Sequence, residues 1–98
     1  MHPIFEKRRS GRYYDSTRTV SDHDLKKIQE AARWAPSCYG EQPWHFILCP
    51  KTTSSYEKAF SCLVEANQKW AASAPILIIA VANFVFSKTG EPNRWAAY

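Results

Sequence analysis

The chain has 98 residues, 45% of them hydrophobic, and 13 Lys and Arg against 9 Asp and Glu give a formal net charge of +4. That length fills one small domain and not two, and the apolar share excludes a disordered chain. The charge excess is too mild to mark a nucleic-acid binder, and much of it sits in one run, Lys7-Arg8-Arg9-Ser10-Gly11-Arg12.

In chain order, residues 2–8 read as a short helix anchored by Ile4 and Phe5, and 12–19 as extended chain or loop carrying Tyr13 and Tyr14. Ser21-Asp22-His23-Asp24 is a helix start, with Ser21 as N-cap and acids in the first turn. Leu25, Ile28, Ala32 and Ala35 recur at helical spacing and predict one buried face, which Pro36 ends. Trp44 to Cys49, bounded by Pro43 and Pro50, predicts a buried strand. Thr52 to Ser54 cap a second helix over about 55–65, and 66–73 is a further helical piece, separate or continuous with it. Pro75 opens a strand over 76–82 that is apolar on both faces, the pattern of a strand covered on both sides in the middle of a sheet. Residues 87–93 form a polar loop, and 94–98 resemble the opening turn of a helix. Two strands make a poor sheet by themselves, so the expectation is the N-terminal portion of a single longer domain.

The longest apolar run, 74–86, is too short and too β-branched for a membrane helix. Cys38, Cys49 and Cys62 are odd in number and widely spaced, and no secretory segment precedes them; reduced thiols in a cytoplasmic protein are expected. Cys49 and Cys62 read as core residues, Cys38 as part of a polar loop. His2, His23 and His45 have no ligand spacing with these cysteines, so no zinc site is expected. No Gly-rich phosphate loop and no nucleophile elbow is present.

Two clusters carry the candidate chemistry. Arg8, Arg9 and Arg12 offer guanidinium forks that donate in parallel pairs to phosphate or carbonyl oxygens, Ser10 adds a hydroxyl, and Gly11 permits close backbone approach. The second cluster is the loop Ala35-Pro36-Ser37-Cys38-Tyr39-Gly40-Glu41-Gln42-Pro43-Trp44. Stiffened by two prolines, it leads from helix to strand. Ser37 and Cys38 can present side chains and N–H groups to an anion or a ring, and Gln42 can read a heterocycle edge. A solvated basic surface and an ordinary connecting loop are the plainer readings of the same residues.

Taken together the motifs resemble the flavin-dependent nitroreductase family. Arg8-Arg9-Ser10-Gly11-Arg12 precedes a helix, followed by Ala31-Ala32-Arg33-Trp34-Ala35-Pro36-Ser37 and by Glu41-Gln42-Pro43-Trp44. Asn67-Gln68-Lys69-Trp70 and Ala74-Pro75-Ile76-Leu77-Ile78 continue the likeness in the same order. Gly40 stands where that family often has asparagine, and Cys38 where serine is frequent.

The resemblance implies an α+β fold, a mixed sheet flanked by helices, working as an intertwined homodimer. It implies FMN as cofactor, NAD(P)H as electron donor, and a small-molecule acceptor such as a nitroaromatic or quinone. It places Arg8, Arg9, Ser10 and Arg12 on the FMN phosphate, ribityl chain and pyrimidine edge. Pro36, Ser37 and Cys38 reach a flavin from the partner subunit with Gln42 nearby, and Asn67 approaches the isoalloxazine ring. No catalytic side chain is required, because flavin carries the hydride chemistry. Two other readings remain: a non-enzymatic remnant of the fold, motivated by the incomplete sheet, and a small nucleic-acid module, motivated by the basic cluster beside Tyr13 and Tyr14. Neither nucleic acid nor membrane is the expected partner.

Overall fold

Two strands form the centre of the computed structural model, which describes residues 1–96. Strand β1 (Trp44–Pro50) pairs antiparallel with β2 (Ile76–Ala82), in a register that sets Trp44 opposite Ala82, Leu48 opposite Ile78 and Pro50 opposite Ile76. The ladder is extended at both ends, by the Lys51 N–H donating to Pro75 O (3.0 Å) and the Asn83 N–H to Pro43 O (2.8 Å). Prolines flanking both strands thus accept at the sheet margins, where their missing N–H costs nothing.

Helix α1 (Pro3–Lys7) is a single turn or so, opened by Pro3 at a position where a ring is tolerated. Helix α2 (Asp22–Arg33) begins as the sequence predicts: Ser21 Oγ accepts the Asp24 N–H at 3.1 Å and donates to the Asp24 carboxylate at 2.7 Å. It stops before Pro36, at a knot of local contacts. The Arg33 guanidinium bonds both Glu30 oxygens (3.1 and 2.8 Å), Trp34 Nε1 donates to Glu30 (2.8 Å), and the guanidinium lies 4.9 Å from the Trp34 ring centroid. These bonds, that from Arg33 first, pull the Glu30 carboxyl down to about 2.

Helix α3 (Ser54–Ser61), capped by Thr53, packs against both strands and against helix α4 (Glu65–Ala71). The two helices are separate, broken over residues 62–64. The break is closed by Gln68, whose amide donates to Leu63 O (2.9 Å) and to Phe60 O (3.3 Å), the latter also accepting the Leu63 N–H. The buried centre lies here: Cys49 (1% exposed), Tyr56 (6%), Ala71 and Ala74. The Tyr56 hydroxyl lies 3.1 Å from both Ala71 O and Ala74 O, tying α3 to the chain entering β2. Lys51 Nζ adds a bond to Ala72 O at 2.6 Å.

Several burial expectations are corrected. Helix α2 has no fully buried residue; Ile28 is 54% exposed although Leu25, Ile28 and Ala32 face Phe46, Leu48 and Ile78 across a narrow apolar gap. Strand β2 sits in a two-stranded sheet rather than at the centre of a covered one, and Ile78, Ile79 and Val81 are exposed. Ile47 of β1 is 50% exposed, Ile4 and Phe5 are exposed rather than anchored in a core, and Cys62 is exposed rather than core. The common reason is shape. The radius of gyration is 16.0 Å, whereas a compact chain of this length measures about 13 Å. Hydrophobic patterning records the need for cover, not the presence of a covering element within these residues.

Candidate functional site

The basic cluster follows α1 as exposed, extended chain. Arg8 is the C-cap of α1, its N–H bonded to Ile4 O, and its guanidinium donates to Ser10 Oγ at 3.3 Å. Arg9 folds back instead: its NH1 donates to Glu6 O (2.7 Å) and Arg8 O (2.9 Å), so it satisfies carbonyls at the end of the helix. Among the described residues none of Arg8, Arg9 and Arg12 takes part in an ion pair. Gly11 is not demanded by packing, since a Cβ there would meet nothing within 4 Å.

Arg12 reaches α4. With Tyr13, Tyr14, Lys69, Trp70 and Ser73 it lines an open cleft of about 470 Å³. Tyr14 and Trp70 form the aromatic wall, ring centroids 6.1 Å apart and tilted by 34°. Asn67 does not line this cleft, but it meets the wall: Trp70 Nε1 donates to Asn67 Oδ1 at 3.3 Å. Lys69 is 3.5 Å from Glu65, one turn back along the helix. The structure therefore brings Arg12 and Tyr14 of the N-terminal segment to Lys69, Trp70 and Ser73 at the end of α4, with Asn67 one hydrogen bond away from that wall. Trp70 and Tyr14 are the wall residues that sequence reasoning left without a role; the Trp70 spacing to Asn67, three residues on a helix, is the signal that links them.

The second cluster forms around a 3₁₀ turn, Cys38–Gly40. Tyr39 (φ 52°), Gly40 (φ 68°) and Gln42 (φ 45°) all take left-handed backbone. Such a conformation costs about 1–3 kcal/mol for a side-chain-bearing residue and needs support. Three side-chain hydrogen bonds supply it. Ser37 Oγ accepts the Gln42 N–H at 2.7 Å, closing the loop on itself. The Glu41 carboxylate accepts the Ser87 N–H at one oxygen and the Ser87 hydroxyl at the other, both at 3.0 Å. These bonds, the backbone one first, hold the Glu41 carboxyl below the ordinary carboxylate value. The left-handed backbone also explains Gly40: glycine and asparagine are the two residues that adopt it most readily, so one replaces the other without reshaping the turn.

Pro36, Ser37 and Cys38 line a cleft of about 180 Å³ together with Trp44 and Asn93. It shares no residue with the Arg12 cleft. In a single chain the two predicted patches thus remain two sites. Gln42 lines neither, and its backbone N–H is already bonded to Ser37. The partner of the loop is the turn over 85–92, which the sequence reads as a polar loop over 87–93 with no link to Glu41. It is held by a Val85–Pro92 bridge, by Phe86 N–H to Glu91 O (2.9 Å), and by Gly90 at φ 71°.

Comparison with known proteins fits this geometry. The Nitroreductase family matches residues 5–76 of the chain. A crystal structure of an oxidoreductase containing FMN superposes with a TM-score of 0.82 at 30% identity, covering 94% of this chain and 47% of that one. The oxygen-insensitive NADPH nitroreductase of Helicobacter pylori (strain J99) is 32% identical over 76 residues, 78% of this chain and 35% of that protein. A Haemophilus influenzae protein named "Putative NAD(P)H nitroreductase" is 42% identical over 59 residues, 59% of this chain and 27% of its own. The matched region is α+β, helices around an antiparallel strand pair, as in these structures. The chain belongs to the nitroreductase family, and it spans about a third or less of the two curated relatives and about half of the solved structure. Among the described residues no helix is long and apolar enough to cross a membrane.

Proposed function

We propose that this chain supplies part of an FMN site in an oxidoreductase that takes hydride from NAD(P)H and delivers electrons to a small acceptor such as a nitroaromatic or quinone. The observation that carries the reading is the set of guanidinium groups at Arg8 and Arg12 that no carboxylate of the described residues neutralises. Exposed cations without acidic partners suit a dianionic phosphate, and Ser10, already bonded to Arg8, adds a donor. The Tyr14–Trp70 wall beside Arg12 suits a planar ring system.

The residues fit the group as follows. Arg8 and Ser10 would hold the phosphate. Arg12 would lie at the polar edge of the ring system, where a cation stabilises negative charge gained on reduction. Asn67 would donate or accept at a ring heteroatom. FMN supplies the hydride chemistry when bound, and the chain supplies binding and electrostatics. Because Ser37 and Cys38 line a cleft separate from that of Arg12, we propose that a second copy brings its Ser37–Gln42 loop to the flavin, giving two sites per homodimer. Neither nucleic acid nor membrane enters this reading.

The test is a titration of the purified protein with FMN, followed by quenching of flavin fluorescence and by molecular mass. Saturable binding at one FMN per chain, with a mass of two chains, supports the proposal. A protein that stays colourless and leaves flavin fluorescence unchanged at high concentration refutes it.

A further inference from the structure

We infer that Glu41 is a positioning residue, whose carboxylate clamps the Ser37–Gln42 loop onto the turn after β2 and so sets the part of that loop offered to the flavin. The inference rests on the site proposed above. Glu41 itself lines neither of the two clefts assigned to the flavin.

The geometry is a two-point grip across 46 residues of sequence: each Glu41 oxygen takes one Ser87 donor, N–H or O–H, at 3.0 Å. A bidentate contact fixes orientation as well as distance. A second contact lies alongside, Tyr39 edge-on to Phe86 with ring centroids 6.3 Å apart. Tyr39, Glu41, Phe86, Lys88 and Thr89 enclose a cleft of about 360 Å³ between the loop and the turn. The turn can serve as an anchor because it is closed by its own bonds, Phe86 N–H to Glu91 O and Gly90 N–H to Phe86 O at 2.8 Å.

The gripped segment is the one that needs gripping. Tyr39, Gly40 and Gln42 all hold left-handed backbone, and Tyr39 is 92% exposed, so burial does not keep it there. Inside the loop two backbone bonds close the 3₁₀ turn, Gly40 N–H to Ser37 O and Glu41 N–H to Cys38 O, and one side-chain bond, from the Gln42 N–H to Ser37 Oγ, holds Gln42. That bond uses the very serine assigned to the flavin. If the loop were free to relax, Ser37 and Gln42 would move together. The Glu41–Ser87 grip restricts that freedom from a residue that lines neither cleft.

The experiment compares wild type with Glu41→Ala, Glu41→Gln, Ser87→Ala and the Glu41→Ala/Ser87→Ala pair. Three quantities are read: the FMN dissociation constant, the visible circular dichroism of bound flavin, and the melting temperature without FMN. Loss of one or two solvent-facing hydrogen bonds should weaken FMN binding about three- to tenfold in Glu41→Ala, with an altered flavin dichroism and little change in melting. Glu41→Gln, which keeps an amide oxygen as acceptor, should recover part of the affinity. The double variant should be no weaker than Glu41→Ala, because the two residues act through one contact. Unchanged affinity and dichroism in Glu41→Ala would overturn the inference. So would an affinity loss that merely tracks a fall in melting temperature, with no rescue by Glu41→Gln. Wild type that fails to bind FMN overturns the proposed function and this inference together, whereas wild type and Glu41→Ala that bind FMN equally well, with the same dichroism, overturn only the clamp.

Discussion

Arg8 offers a sharp separation between phosphate recognition and general flavin affinity. Among the described residues its guanidinium has one side-chain partner, Ser10 Oγ at 3.3 Å, and no carboxylate. Arg8→Ala therefore removes no internal ion pair, and an exposed substitution of this kind changes stability by no more than about 0.5 kcal/mol. A charge-assisted bond to a ligand oxygen contributes about 1.5–3 kcal/mol, and the exposure of Arg8 argues for the lower end. The expected loss is roughly tenfold in FMN affinity. Riboflavin has the same ring and ribityl chain without phosphate, so its affinity should be unaffected, and the FMN-to-riboflavin preference should shrink by the same factor. Salt should act in the same direction: raising ionic strength shortens the screening length below about 8 Å and should erode the FMN preference of wild type more than that of Arg8→Ala. The assay is paired fluorescence titration of both ligands at two salt concentrations, with melting curves for each protein. Equal losses for FMN and riboflavin would refute the assignment, since they would place Arg8 against a part common to both ligands.

Other consequences follow from the same structure. Tyr56→Phe deletes a buried hydroxyl that bridges Ala71 O and Ala74 O; it should cost about 1–2 kcal/mol and lower the melting temperature by roughly 4–8 °C per kcal/mol, and a shift under a degree would show that the bridge does not hold α3. Glu41 has its folded pKa depressed from 4.5 by Ser87, so its contribution is complete above that value and is lost as pH falls through the folded value. The Ser87 amide resonance should therefore titrate with a midpoint below 4.5, and a midpoint at or above it would contradict the contact. Cys38 and Cys62 are exposed while Cys49 is buried; native protein should alkylate rapidly at the first two and at Cys49 only on unfolding, as read by mass spectrometry of digests.

Local rules made much of this molecule legible. Ser21, Thr53 and Pro36 act on the backbone within a few residues of themselves, and the limits of α2 and the start of α3 agree with the structure to within a residue or two, whereas α3, expected to run to about 65, ends at Ser61. The strands over 44–50 and 76–82 were equally readable, because prolines bracket β1 and Pro75 opens β2. The break between α3 and α4 was not. It depends on Gln68 reaching back to Phe60 O and Leu63 O, a bond that no propensity encodes. Tyr56 escaped notice for a similar reason, since its value lies in two carbonyls 15 and 18 residues away.

The candidate site divides along the same line. Arg8, Ser10 and Arg12 were legible because charge and hydroxyl chemistry can be read without coordinates. The association of Arg12 with Trp70 required the turn of α4 to face the N-terminal segment. The loop shows the contrast most clearly. Its composition announced a rigid polar connection, yet what makes it rigid is not its two prolines alone. Three left-handed residues are held by Ser37 within the loop and by Ser87 from beyond β2. Glycine at 40 reduces the strain at one of the three positions, and the remaining strain at Tyr39 and Gln42 has to be opposed by contacts. A loop that must keep an unfavourable backbone in order to present its side chains is better secured by a partner outside the binding surface than by the presented groups, and Glu41 is the side chain here that meets that condition.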